Sequence, residues 1–176
     1  MSMAPAVLVE HVQKSYGKIE AVKDVSFQVE AGVIFGLLGP NGAGKTTTLR
    51  CLCTLAAPDA GRIEIAGVSV LEQPKVARQL LGYVAQEAAP DKVLTGRELL
   101  QLQAALYHLP KAKISERIES ALQLLGLEPW ADQKTGTYSG GLRKRLDLAA
   151  GLLHDPMVLV LDEPTNHLDV EMIEAL

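Results

Sequence analysis

The sequence predicts an α/β domain in which a parallel sheet is joined to an N-terminal antiparallel β portion and interrupted by a helical insertion. Three patterns carry that prediction. The runs GVIFGLL at 32–38 and PMVLVLD at 156–162 are apolar without alternation, as in strands covered on both faces. Apolar and polar residues alternate through VLVEHV, VSFQVE and RIEIAGVSV, as in strands with one face in water. From about 88 to 138 the apolar residues recur instead at helical spacing.

In chain order the alternating segments at 7–12 and 25–30 come first. The run at 32–38 is expected to be a buried strand that leads into a helix. The alternating stretch at 62–70 returns to the antiparallel portion, and LLGYVAQ at 80–86 is expected to be a third buried strand. Two helices follow. Leu99, Leu102, Leu106 and Leu109 outline the face of one, and Ile114, Ile118, Leu122 and Leu125 that of the other, with Gly126 placed to end it. Leu142, Leu146, Ala149 and Leu153 form the face of a third helix, stopped by HDP. The expected organisation is a core made of 1–87 and 139–176, split by a helical subdomain at 88–138.

The bulk composition excludes several classes. With 176 residues the chain has the length of one domain, and 48% hydrophobic with 22% charged residues is ordinary for a folded globular protein. A net charge of −4 and 4% aromatic residues support neither phosphate-backbone binding nor a base-stacking platform, so no nucleic-acid partner is expected. Cys51 and Cys53 lie two apart in an expected helix and read as reduced packing residues. The N-terminal stretch has no basic segment followed by an apolar one, and no run approaches the roughly 18 apolar residues of a spanning helix. Any service to a membrane is expected from the cytoplasmic side, through another chain.

Directly after the first buried run, GLLGPNGAGKTTTLRCL holds Gly39, Gly44, Lys45 and Thr46 in the G-x-x-x-x-G-K-[ST] spacing, at the start of a helix. Small residues let successive backbone N–H groups close around phosphate oxygens, and the helix N-terminus adds a favourable dipole. Lys45 supplies a mobile positive charge for the β- and γ-phosphates, and the Thr46 hydroxyl can ligate Mg²⁺. The loop residues Pro40, Asn41, Gly42, Ala43 and Thr47 complete the candidate phosphate site. The run at 158–161 ends in Asp162, suited to orient the magnesium through its water shell, and in Glu163, suited to position or deprotonate an attacking water. The fold class is thus that of a P-loop NTPase core.

The stretch TYSGGLRKRLDLAAGLLHDPMVLVLDEP resembles the ATP-binding subunit of an ABC transporter. Ser139, Gly140 and Gly141 match that family's signature, whose serine and glycines grip the γ-phosphate of ATP held by the opposite subunit. The usual signature has Leu before the serine and Gln after the glycines; here Tyr138 and Leu142 stand there. YSGG followed by an apolar residue, a basic run and LDLA is similar to the drug- and antibiotic-exporter branch. Arg143, Lys144 and Arg145 also fit a solvated helix face.

The resemblance implies further roles. Tyr16 matches the aromatic that stacks on adenine, and Gln86 the glutamine that contacts Mg²⁺ and water and joins the core to the insertion. LTGRELL at 94–100 resembles the entry to that insertion, and Asp169 in NHLD matches the loop crossing the dimer interface. The implied cofactors are ATP and Mg²⁺. The implied partners are a second ATP-binding subunit, head-to-tail, and a membrane-spanning permease at the cytoplasmic face. Two alternatives stand beside the exporter reading. DEPTNHLD is the form favoured by ribosome-acting translation-factor ABC proteins, and a non-catalytic ATP-binding fragment is the other. The family's switch histidine follows a strand beyond Asp169, a role that neither His154 nor His167 fills. The chain is therefore expected to be C-terminally truncated and inactive for hydrolysis alone.

Overall fold

The computed structural model describes residues 4–85 and 92–162. Its contacts divide the chain into two compact units, Met1–Leu81 and Gly82–Leu176.

The first unit is built on an antiparallel sheet of β1 (Val7–Tyr16), β2 (Ile19–Val29), β3 (Ala60–Ile65) and β4 (Val68–Ser69), in the order β2-β1-β3-β4. Val7, Val9 and Val12 of β1 are all buried, although strict alternation would send position 12 to the opposite face from position 9. A register shift between Val9 and Val12, with His11 at φ 49°, supplies the extra residue that turns Val12 inward. β3 and β4 are joined by Ala66 and Gly67, both at positive φ, as a two-residue hairpin turn requires. Helix α1 (Lys45–Leu52) packs against β2 and β3, and α2 (Pro74–Gln79) follows β4. Cys51 and Cys53 are buried and form no disulfide, in keeping with the packing role expected of them.

One expected strand of this unit does not form. The run 32–38 lies in no strand, and Ile34 and Leu38 are 91% and 90% exposed. A strand exists only through the ladder it makes with a neighbour, and among the described residues nothing pairs with this run. Apolarity without alternation identified a segment suited to burial, but it could not supply the burial.

The second unit sets β5 (Leu81–Val84) beside β6 (Val158–Leu161), so two of the three expected strands are found, β5 mostly buried and β6 half-buried apart from the buried Val160. Helices α3 (Gly96–Leu106), α4 (Lys111–Leu124) and α5 (Gly140–Leu152) surround a core that includes Leu100, Ala104, Ile118, Leu122, Leu146 and Leu148. The faces of α4 and α5 agree with the spacing, and Gly126 follows the end of α4. The face of α3 is a correction. Leu99 and Leu109 do pack against the core, the latter from beyond the helix end, but Leu102 and Leu106 are exposed, and Gly96, Leu100 and Ala104 are turned inward. Leu99 and Leu100 are adjacent, so two leucine stripes were available; small residues at 96 and 104 let the second one pack closer.

Thr95 caps α3 with a reciprocal pair: its hydroxyl accepts from the Glu98 N–H at 3.1 Å, and the Glu98 carboxylate accepts from the Thr95 N–H at 2.8 Å. Arg97 then ties α3 to Glu119 of α4 and to Asp132, and Arg117 of α4 reaches Asp155 at 2.9 Å. No helix among the described residues is long and apolar enough to cross a membrane.

Candidate nucleotide site

The glycine-rich loop feeds α1 through Gly44, which has φ 86° and sits against β2 so closely that a Cβ there would overlap the Ala21 carbonyl. No side chain caps α1, so its first N–H groups stay available to an anion. Thr48 is buried, and both its N–H (2.8 Å) and its hydroxyl (3.0 Å) donate to the Gly44 carbonyl, pinning the first turn from inside. The Lys45 Nζ curls back over the loop and donates to the carbonyls of Gly39 (2.7 Å) and Pro40 (2.9 Å). The Ala43 N–H also donates to Pro40, at 3.2 Å, closing the turn that carries Asn41 and Gly42. Thr46 is exposed at the helix start and Thr47 is half-buried. The loop thus gathers donors and a cation without any acidic side chain in the first turn of α1.

Tyr16, in the same unit, is 46% exposed, and the Lys14 Nζ lies over its ring at 5.5 Å from the centroid.

In the second unit Ser139 is the N-cap of α5, its hydroxyl accepting from the Leu142 N–H at 3.3 Å, with Ser139 and Gly140 exposed and Gly141 half-buried. The departure from the usual signature has a structural account. Tyr138 is buried, and its hydroxyl donates to the Trp130 carbonyl at 2.6 Å. A Cβ on Gly96 would overlap that hydroxyl, so a tyrosine here needs a glycine there. Burial pushes the phenol pKa up, keeping it a donor.

The basic run is not one solvated face. Arg143 is exposed and Arg145 half-buried, whereas Lys144 is buried and donates to the Ala85 carbonyl at 3.3 Å, one residue before Gln86. Lys144 stands four residues before Leu148 and seven before Gly151, both buried. Helical spacing therefore carried the signal, and the cationic neighbours hid it. Asp59, which grips the end of β1 at Lys14 and Ser15, was missed with no sequence signal to find it.

Asp162 directly follows β6, as the apolar run predicts. It is buried, its N–H donates to the Val84 carbonyl at 3.0 Å, and its carboxylate accepts from the Tyr83 hydroxyl at 3.4 Å. A buried carboxylate with so long a side-chain contact keeps acceptor capacity for a hard cation or its waters. Gln86, Glu163, His167 and Asp169 lie outside the described residues.

A glycine-rich loop, its lysine and an uncapped helix behind it define a P-loop nucleotide-binding protein. Residues 22–166 match the ABC transporter family, and the chain belongs to that family. It is similar to the daunorubicin resistance ATP-binding protein DrrA2 of Streptomyces coeruleorubidus, at 45% identity over 93% of this chain and 51% of that protein. It is 44% identical to the doxorubicin resistance ATP-binding protein DrrA of Mycobacterium tuberculosis, over 97% of this chain and 52% of that one. The Nod factor export ATP-binding protein I of Ralstonia nicotianae is 44% identical over 94% of this chain and 51% of its own length. The chain thus spans about half the length of the curated relatives it matches. Among solved structures, an ATP-binding subunit of an ABC transporter superposes with a TM-score of 0.85 at 29% identity, covering 97% of this chain and 71% of that one. The cbiO1 protein of Clostridium perfringens, part of the transporter complex cbiONQ, gives 0.82 at 27%, covering 97% and 70%.

Proposed function

We propose that this chain belongs to an ATP-binding and ATP-hydrolysing subunit that powers an ABC-type exporter of a small molecule or drug. The observation that carries the reading is the Lys45 ammonium folded onto the Gly39 and Pro40 carbonyls beside an uncapped helix start. A triphosphate offers that ammonium charged oxygens in place of neutral carbonyls, while the loop N–H groups close on the same phosphates. Resistance and export in the names of the relatives support the export direction. They favour it over the ribosome-acting alternative.

Thr46 is proposed as a ligand of Mg²⁺, which prefers oxygen donors, Asp162 is proposed to orient the metal through its water shell, and Gln86 is proposed as a further ligand. The metal, when bound, neutralises charge on the β- and γ-phosphates. Tyr16 is proposed to stack on the adenine, and Glu163 to take the proton of the attacking water. Ser139, Gly140 and Gly141, at the start of α5, are proposed to meet the γ-phosphate of ATP held by a second subunit, with Asp169 at the interface between the two. The core is proposed to be 1–87 with 139–176, and 88–138 the helical subdomain. A membrane-spanning permease is the proposed partner, which would hold the chain at the cytoplasmic face.

Calorimetry tests the nucleotide reading. Lys45→Ala is expected to weaken MgATP binding at least about tenfold, since charge-assisted bonds are the strong ones. Equal affinities in the two proteins would remove the loop from the assignment.

A further inference from the structure

Asp59 lies in the connection between α1 and β3, outside every motif that points to the nucleotide. It nevertheless holds three consecutive residues of β1. Its N–H donates to the Gln13 carbonyl at 2.8 Å, its Oδ1 accepts from the Lys14 Nζ at 2.8 Å, and its Oδ2 accepts from the Ser15 N–H at 2.7 Å. The next residue is Tyr16.

An exposed ion pair alone contributes little, because solvent screens it and two long side chains must be held still. Here the ion pair is one of three bonds, and the other two are to backbone. The clasp therefore fixes direction more than it adds stability. It sets the path of β1 into the Gly17–Lys18 turn, and it holds the Lys14 ammonium over one side of the Tyr16 ring. A ring held beneath a cation and still 46% exposed is restricted in the way it can meet a ligand. Its freedom is reduced before any ligand arrives, so less is lost on binding.

We propose that Asp59 is a positioning residue for the nucleoside: through Lys14 and Ser15 it presents Tyr16 as the platform on which the base of a nucleoside triphosphate stacks. The inference rests on the reading of Tyr16 as the base contact. Asp59 need not touch the ligand. It acts on the base and leaves the phosphates to the glycine-rich loop.

That division of labour supplies the test. Binding of ATP and of inorganic tripolyphosphate is measured by calorimetry on the 176-residue chain and on Asp59→Ala, Asp59→Asn and Lys14→Met. Asp59→Ala is expected to weaken ATP binding about fivefold, a part of what stacking on an aromatic ring contributes, with tripolyphosphate affinity kept within about twofold. Asp59→Asn keeps an oxygen for the Ser15 N–H but loses the ion pair, so an intermediate loss is expected, confined to ATP. Lys14→Met, which leaves the Asp59–Ser15 bond intact, is expected to behave likewise and carries the test should Asp59→Ala fail to fold. Equal weakening of both ligands would overturn the proposal, since Asp59 would then support the fold and not the base. Unchanged ATP affinity in all three variants would overturn it too. An unsubstituted chain that binds tripolyphosphate as tightly as ATP removes the Tyr16 platform while sparing the phosphate loop, and one that binds neither removes the nucleotide reading itself.

Discussion

Two helix starts in this chain follow or contain glycines and are proposed to face phosphate, yet they are held by different means. At α5 the Ser139 hydroxyl accepts from the helix, Tyr138 immediately before it is buried, and Lys144 one turn on is bonded to the Ala85 carbonyl. At α1 no side chain caps the helix, and most of the apolar run shortly before it is exposed. What anchors α1 is the close approach of Gly44 to β2 and the bonds of Thr48 and Lys45 to loop carbonyls. The difference follows from how the two kinds of element satisfy their backbones. A helix pairs its own N–H and C=O groups, so α5 needs only a core to lie on. A strand needs a neighbour for every ladder bond, so the run at 32–38 depends on residues distant in sequence.

The tight packing ahead of α5 gives the largest expected effect. Gly96→Ala places a methyl group against the Tyr138 hydroxyl and is expected to cost about 1–3 kcal/mol, the usual range for overpacking. Tyr138→Leu alone leaves the Trp130 carbonyl without its 2.6 Å partner and opens space beside Gly96, at a cost of similar size. Together the two changes relieve each other, so denaturant unfolding of the double mutant should cost clearly less than the sum of the single ones. Additive costs would mean that Tyr138 and Gly96 are not coupled, and the contrast with α1 would lose its main support.

The elements that the sequence made legible are those whose cause is local. The P-loop spacing, the serine at the start of α5, the α4 face and the alternation of β1 all rest on residues within a turn or two of one another. The illegible ones have non-local causes. Leucines at 99, 102 and 106 could not say which stripe would meet α4 and α5. Lys144 looked solvated beside Arg143 and Arg145 until α5 was packed on β5 and β6. Asp59 carries no motif because its partners are some forty residues away. In the candidate site the phosphate donors were readable and their supports were not.

A smaller effect probes the electrostatics of α5. Asp147 is half-buried, and burial raises its pKa to about 6, with Lys144 and Arg143 opposing the shift. The folded state then resists ionising a carboxyl that ionises freely once unfolded, near pH 3.9. The stability tied to this proton is fully present below the unfolded pKa and is lost as pH rises through about 6. Asp147→Asn removes the penalty and should stabilise the chain at pH 7.5. The gain is on the order of 1 kcal/mol after allowance for solvent screening. It should fade as pH falls towards 4, a trend that thermal unfolding at the two pH values reads directly. A gain that does not change with pH would assign it to packing. A loss at pH 7.5 would mean that the attraction between Lys144 and Asp147 outweighs the cost of burying the carboxylate.

The smallest expected effect bears most directly on the comparison between the two regions. Ile34 is 91% exposed, so Ile34→Ala removes apolar surface that already faces water. Its unfolding free energy should change by no more than about 0.5 kcal/mol, as at other surface positions. Were the run at 32–38 a buried strand in solution, the same truncation would cost about 2–5 kcal/mol. Phe35 supplies an internal control within the same run. Its ring stacks on Phe27 of β2 with centroids 5.1 Å apart and planes inclined by 13°. Phe35→Ala should therefore cost more than Ile34→Ala, by the roughly 0.5–1.5 kcal/mol of an aromatic pair plus the area it covers. Urea unfolding midpoints of the three proteins decide the matter. A near-zero effect at Ile34 with a measurable one at Phe35 keeps the run as an exposed segment pinned at one ring. A loss of about 2 kcal/mol or more at Ile34 means that the run is covered, that α1 has a strand behind it after all, and that the two helix starts are held alike.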